Sequence, residues 1–372
     1  MIIRFLGSIV RLLALVLAVV TVCVAVSTNI SPERLGALCL AWFAFPYMWI
    51  TLCVAAVMYV LKRHWITAAI CVAAIVFTFP EAHRVIDLPM KQEERAEGEG
   101  KGLKLLTYNI YNLLLETPEG MPVGRGDSMA RDIKALGADI VCLQEANREY
   151  DRNESPKLLQ FKQMCKGFEN NVVHRDLRIL TNLPLRQITD PHELGRNGQM
   201  PDFFLAADVT IGQGKTIRIF NCHMASLRLS EKQLGAVSKS NIDSERAEAL
   251  RSTYSKTMDA FVRRAVEVRE LAQAVTASPY PVIVCGDFND TPISYTYSHL
   301  MKAQPQGDTM GPLSEARHSA HLKMRRTFRR KLPPLQIDYI IKSEAIRTWG
   351  YEDHDWAWSD HRAVSVYFDC AE

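Results

Sequence analysis

The sequence predicts an α/β domain of mixed or antiparallel sheets covered by helices, preceded by an N-terminal membrane region. Three observations point there. Long uncharged apolar runs are confined to residues 1–80 of the 372-residue chain. From residue 103 onward, short apolar strands outnumber helices and several follow one another directly, unlike a regular doubly wound sheet. Polar residues then recur where those strands end.

The N-terminal runs come first. Residues 12–28 read LLALVLAVVTVCVAVST, after Arg4 and Arg11, and residues 35–61 read LGALCLAWFAFPYMWITLCVAAVMYVL without a charge. Residues 65–80, WITAAICVAAIVFTFP, form a third apolar run. About 20 apolar residues span a bilayer, and in lipid a lone segment satisfies its backbone only as a helix. Residues 1–80 are therefore expected to be a transmembrane anchor of about three helices, near 8–28, 35–61 and 65–80. A cleaved signal peptide would explain the first run but not the other two. No Asp, Glu or His lies inside the runs, so they read as anchor and not as a transport path.

Charge supports this division. Of 44 Lys and Arg and 41 Asp and Glu, five and one fall in residues 1–80, leaving 39 and 40 for the rest. The remainder thus carries no overall nucleic-acid footprint. Arg4 and Arg11 precede the first run, and Lys62, Arg63 and His64 separate the second from the third. Basic residues favour the cytoplasmic side. With three spans, a multi-pass protein in the cell (inner) membrane is expected, with the large domain on the periplasmic or extracytoplasmic side; a merely interfacial third run would invert that orientation. Residues 81–102, which include KQEERAEGEGKG, have the composition of a charged linker. Cys23, Cys39, Cys53 and Cys71 fall in the apolar runs, while Cys142, Cys222 and Cys285 sit in strand-like runs and fill core. No CxxC or metal-type cysteine spacing occurs.

Residues 103–370 form the expected catalytic domain. GLKLLTYNI reads as a strand, DSMARDIKALGA as a helix ending near Gly137, DIVCLQEA as a strand and SPKLLQFKQMCKGF as an amphipathic helix. LRILTNLPL, DFFLAADVTI and TIRIFNCHM follow as strands, the last two joined by a GQGK turn. Residues 244–277 carry a helical pattern with Leu250, Tyr254, Met258, Phe261 and Val262 on one face. PVIVCGDFND, a short helix around Tyr295 to Met301, LQIDYIIKS and HRAVSVYF complete the domain.

Asn109 ends LLTYNI, Gln144 and Glu145 end IVCLQE, Asn221 and His223 end IRIFNCH, and Asp287 and Asn289 end VIVCGDFN. Asp338 lies in LQIDYII, and Asp360 with His361 precedes AVSVYF. Each alone suits a cap, a turn or a hydrogen-bonded core group. Together in one cleft they supply carboxylates, amides and two imidazoles, the inventory of metal-assisted phosphoryl chemistry. Mg²⁺, with Mn²⁺ as an alternative, prefers such oxygen ligands. Glu145 is the first ligand candidate. Asp287 suits activation of a water, Asn289 its orientation, and His361 a hydrogen bond to phosphate with Asp360 beside it. His223 suits the opposite side or protonation of the leaving oxygen.

With TYNI, LQE, FNCHM, GDFNDTP, QIDYI and WSDHRAV in order from about residue 104 to 368, the domain resembles the endonuclease/exonuclease/phosphatase (DNase I-like) superfamily, as a membrane-anchored bacterial-type member. The resemblance implies a four-layer sandwich, two mixed sheets face to face with helices outside, and a divalent-metal hydrolase. It implies Asn109 at the metal or phosphate and Glu145 as metal ligand. Asp287 and Asn289 match the water-activating pair, His223 the His of nuclease and sphingomyelinase-like members, and Asp338 the support of the phosphate-binding His361. Asp360 matches a metal or His partner.

The chain departs from the family at RDLRILTNLPL, where Thr181 and Asn182 replace the usual polar pair. Arg175, Asn182 and Asn221 are further candidates for phosphate contacts. RHSAHLKMRRTFRRKL, residues 317–332, has six Lys or Arg between Lys323 and Lys331 and reads as a solvated loop or a phosphate-contacting rim. The expected activity is a phosphodiesterase attacking phosphorus with a metal- and Asp-activated water. The alternatives are a phosphomonoesterase of the same fold or an inactive membrane-held binding domain. Nucleic acid, a phospholipid or sphingolipid headgroup and a small phosphate ester all remain as substrates. The bilayer is the only other partner inferred, and no protein partner is.

Overall fold

The computed structural model describes residues 2–87, 102–113, 125–147, 152, 158–227, 244–306, 311–317, 323–329 and 335–370. The chain opens with α1 (Ile2–Ser27), α2 (Pro32–Leu35), a 3-10 turn over Gly36–Leu40 and α3 (Ala41–Leu61). Then come α4 (Trp65–Phe77) and α5 (Phe79–Val85). Two stretches, Phe5–Ser27 and Pro32–Leu61, are long and apolar enough to cross a membrane. The third differs from expectation. At 13 residues α4 is about 20 Å long, short of a hydrocarbon core of about 30 Å, and it qualifies only together with α5 across a 60° bend. Pro80 explains the break: it lacks the N–H that would continue α4 and is accommodated in the first turn of a new helix. Ala18 of α1, Leu52 and Ala56 of α3, and Cys71 and Ala74 of α4 form one small core.

The first residues of the expected linker, 81–87, are instead part of the folded structure. Ala82 and Val85 of α5 are buried against the large domain, and β1 (Ile86–Asp87) pairs antiparallel with β11 (Lys323–Met324). Residues 88–101, the rest of the expected linker, lie outside the described residues.

Two six-stranded mixed sheets follow. The first contains β2 (Leu103–Asn109), β3 (Ile140–Gln144), β4 (Asn170–His174), β5 (Leu177–Thr181), β13 (Ile346–His354) and β14 (Ala363–Cys370). Its order is β13-β14-β2-β3-β5-β4. The second contains β6 (Leu185–Gln187), β7 (Phe204–Thr210), β8 (Thr216–His223), β9 (Val282–Asp287), β10 (Leu313–Glu315) and β12 (Asp338–Ser343). Its order is β10-β12-β9-β8-β7-β6. Among the described strand pairs, only β2 with β3 and β8 with β9 run parallel.

Alternation along the strands builds the layers. Leu105, Ile140 and Ile179 meet Ile219, Ile283 and Ile340 between the sheets. Their neighbours Leu106, Val141 and Leu180 face outward onto α6 (Arg125–Leu136) and α7 (Leu159–Lys166), through Met129, Ile133, Phe161 and Met164. On the far side, Phe204, Phe220 and Val284 pack under α8 (Ser244–Thr276), together with Trp42 and Phe45 of α3. This is the expected sandwich of two mixed sheets flanked by helices.

Three elements differ from the sequence reading. LRILTNLPL is not one strand: β5 and β6 belong to different sheets, and Pro184, without an N–H, lies in the crossover. In α8 the buried face runs through Phe261, Ala265, Val268 and Leu271, while Tyr254 is 47% exposed. The nine-residue β13 carries a register shift between Trp349 and Glu352, which hides it from a period-two reading.

Candidate active site

The ladder registers bring the polar strand ends together. Asn109 lies beside Gln144 in the β2–β3 pair, and His223 beside Asp287 in the β8–β9 pair. Asp338 faces Asp287 across the β12–β9 pair. Contacts between the sheets then join the two groups. The Asn109 amide donates to Glu145 Oε1 at 3.1 Å and to Asp287 Oδ2 at 2.9 Å.

Asp287 is the centre, 1% exposed. Its Oδ1 accepts from the Asn289 backbone N–H at 2.8 Å, and its Oδ2 accepts from Asn289 Nδ2 at 3.1 Å. The Asn289 amide also donates to the Met224 carbonyl at 3.1 Å. Gly286 permits this close approach: its φ is +128°, and an added Cβ would overlap the Cys222 backbone. Asn289 and Glu145 themselves adopt left-handed φ values of +52° and +53°. For Glu145 this is strained, and the neighbouring Ala146 N–H, bonded to the Asp176 carbonyl at 2.7 Å, holds the turn.

Two imidazoles flank Asp287. His361 Nδ1 lies 3.0 Å from Asp338 Oδ2, and its Nε2 lies 3.6 Å from Asp287 Oδ2 and 4.0 Å from Asp360 Oδ1. His223 Nδ1 lies 2.5 Å from Asp176 Oδ2, and its Nε2 lies 4.0 Å from both Glu145 Oε1 and Asp287 Oδ2. Burial disfavours the charged form of each ring, but the surrounding carboxylates outweigh it. Asp338 and Asp287 raise His361 to about 10, and Asp176 and Asp287 raise His223 to about 9. Burial also pushes Asp287 and Glu145 above the usual carboxylate range.

The donor set suits a hard divalent cation. Ligand atoms of Asp287, Asp338 and His361 lie within 4.8 Å of one another, a buried cluster able to hold a metal. Glu145 adds a carboxylate shared through Asn109. Burial first, and repulsion from a neighbouring carboxylate to a smaller degree, raise both Glu145 and Asp287, a cost that a cation would relieve.

A cleft of about 1070 Å³ opens above, lined by Glu145, His223, Met224, Arg175, Arg263 and Glu267 among others. Its wall includes neither Asp287 nor His361. Arg175 reaches the rim, 64% exposed and paired with Asp202 at 2.8 Å.

Two candidates fall elsewhere. Asn221 is fully buried between the sheets, donating to the Leu143 and Arg178 carbonyls at 3.0 Å and accepting from Gln144 at 2.6 Å. Its hydrogen-bonding capacity is spent on structure. Asn182 follows β5, which runs antiparallel to β3, so it sits at the far end of the sheet and accepts from the Glu169 N–H. The basic stretch is also not a free rim among its described residues. Arg325 is buried against Asp87 and Glu315, and Arg329 pairs with Asp355. Arg330 and Lys331 lie outside the described residues.

Sequence reasoning missed Asp176, Ser359 and Thr327. Ser359 donates to the Asn109 carbonyl at 2.7 Å and accepts from the His361 N–H at 3.1 Å. Thr327 Oγ1 accepts from the Asp338 N–H at 3.1 Å. Asp290, next to Asn289, has a buried partner: Arg264 Nε donates to its Oδ2 at 3.1 Å.

The human Nocturnin catalytic domain with bound sulfate is similar, at 16% identity over 73% of this chain and 95% of that chain, with a TM-score of 0.42. Truncated Caenorhabditis elegans TDP2 is similar at 14% identity over 72% and 98%, with a TM-score of 0.43. SmcL is similar at 15% identity over 72% and 99%, with a TM-score of 0.44. No curated protein matches by sequence. A sequence profile of the Endonuclease/Exonuclease/phosphatase family matches residues 106–361. The chain belongs to that family.

Proposed function

We propose that the protein is a membrane-anchored, divalent-metal-dependent phosphoester hydrolase, acting as a phosphodiesterase with Asp287 as general base. One observation carries this: a single buried carboxylate, locked by Asn109 and Asn289, lies within 3.6 and 4.0 Å of two imidazoles that its own charge helps keep protonated.

The roles follow from placement. Asn289 fixes both Asp287 oxygens, so the carboxylate presents one geometry to an attacking water. Its raised proton affinity suits it to take that water's proton. His361, held by Asp338, is a fixed cation for the phosphoryl oxygens. His223 meets the cleft and is placed to protonate the leaving oxygen, with Asp176 setting its ring. Glu145 and Asn109 would hold Mg²⁺ or Mn²⁺, with Asp360 contributing nearby, in place of the Asp287–Asp338–His361 cluster, because a protonated His361 has no lone pair to offer a metal; when bound, the cation supplies charge neutralisation at phosphorus. The cleft is roomy enough for a phosphate bearing ester groups on both sides.

The membrane reading has matching support. The ends of α1 and α2 touch the domain, through Asn29 with Lys302 at 2.7 Å and Glu33 with Arg269 at 2.8 Å. The basic Lys62–Arg63–His64 turn follows the opposite end of α3, which with basic residues on the cytoplasmic side supports an extracytoplasmic domain.

The test is hydrolysis by the full chain in detergent of bis-p-nitrophenyl phosphate, p-nitrophenyl phosphate, DNA and sphingomyelin micelles, each with Mg²⁺, Mn²⁺ or EDTA. Diester turnover abolished by EDTA is expected. Absence of turnover on every ester would favour a binding domain instead.

A further inference from the structure

The anchoring segments are buried in the catalytic domain more deeply than a tether requires. At the first contact, Trp42 of α3 meets Phe261 of α8 edge-on with ring centroids 5.5 Å apart, and Phe43 meets the same ring at 5.9 Å. The Arg264 guanidinium lies 4.9 Å over the Phe261 ring centroid. Fully buried, Arg264 then reaches both active-site loops, donating to Asp290 Oδ2 at 3.1 Å and to the Ala225 carbonyl at 2.8 Å. Asp290 follows Asn289, and Ala225 follows His223 by two residues.

At the second contact, β1 leaves the anchor and pairs with β11. Buried Asp87 accepts from Arg325 Nε at 2.7 Å. Two residues on, Thr327 accepts the Ile337 and Asp338 N–H groups at 3.0 and 3.1 Å, and its carbonyl accepts the Arg362 N–H at 2.7 Å. The Phe328 ring stands edge-on to His361 with centroids 5.3 Å apart.

We propose that the N-terminal region is a positioning element of the catalytic centre as well as an anchor. Trp42 steadies the His223 and Asn289 loops through Phe261 and Arg264. Asp87 steadies the His361–Asp338 pair through Arg325 and Thr327. The two supports act on opposite halves of the site. This rests on the catalytic roles assigned above, but the placement itself can be measured without turnover.

The physical basis is that a buried Arg–Asp pair depends on its enclosure, and a small displacement of a reacting group has a large kinetic effect. A passive tether would transmit nothing local.

The experiment uses the full chain in detergent, as Trp42→Ala, Trp42→Phe and Asp87→Ala, with amide hydrogen exchange read by mass spectrometry and kinetics on bis-p-nitrophenyl phosphate. Trp42→Ala should speed exchange in 223–226 and 287–291 while leaving 335–341 protected. Asp87→Ala should do the reverse. Each should lower kcat about tenfold with KM within about twofold, and Trp42→Phe should restore most of the rate. Unchanged exchange in both segments, or a uniform rise across the domain, would overturn the proposal. If the wild type turns over no ester, the catalytic reading fails, yet segment-specific exchange still decides whether the anchor positions these loops.

Discussion

Two histidine–aspartate pairs face Asp287 from opposite sides, and they differ mainly in enclosure. The His361 side chain is 5% exposed and rests on Asp338 of β12. The His223 side chain is 17% exposed, borders the cleft and rests on Asp176, in the turn between β4 and β5. On the proposed roles, the same chemistry serves two purposes. An enclosed imidazolium is a fixed charge, whereas one at the cleft can exchange its proton with solvent during each cycle.

Substitutions should separate these purposes. Losing the enclosed pair has the larger effect. His361→Ala leaves Asp338 and Asp287 buried without their cation, so kcat should fall about 10³-fold in steady-state assays. Thermal unfolding should show a loss of about 3 kcal/mol in the same variant.

The open pair should show a dependence on leaving group. His223→Ala should slow an alkyl phosphodiester about 10²-fold while barely affecting p-nitrophenyl esters, whose leaving oxygen needs no proton. An equal loss on both would assign His223 to phosphate binding. The pH profile sharpens this. Because His223 is held up to about 9, its proton is present below that pH and lost above it, so the wild-type rate on an alkyl ester should fall as pH rises through about 9. Asp176→Asn removes the main favourable partner, and the falling limb should move toward the ordinary imidazole value of about 6.5. A limb that stays in place would break the link between Asp176 and His223.

The smallest effect is expected outside both pairs. Asn182→Ala should leave kcat/KM within about twofold of wild type, since Asn182 lies at the opposite end of the sheet from Glu145.

That last residue shows where the sequence was readable and where it was not. Apolar runs with polar ends marked Asn109, Glu145, His223 and Asp287 because β2, β3, β8 and β9 all finish at the site. The antiparallel strands β5, β12 and β14 begin there instead. Asp338 and His361 were still legible, as polar residues within or just before the apolar runs of β12 and β14. Asp176, just before β5, was missed, and Asn182, just after it, was taken for a site residue. Strand direction is decided by pairing partners distant in sequence, so no local pattern carries it. The same limit hid the roles of Asn221 and Arg325, whose partners come from other strands and from the anchor. The layers themselves were legible, since two-residue alternation directly encodes an inner and an outer sheet face.

The central claim is that Asp287 acts as the base between the two imidazoles, and one comparison tests it most directly. The full-length wild type and Asp287→Asn would be assayed side by side on bis-p-nitrophenyl phosphate at saturating Mn²⁺, with matched circular dichroism and melting curves. The expected result is a folded Asp287→Asn protein whose kcat is lower by about 10³-fold or more. Equal turnover by the two proteins would contradict the account.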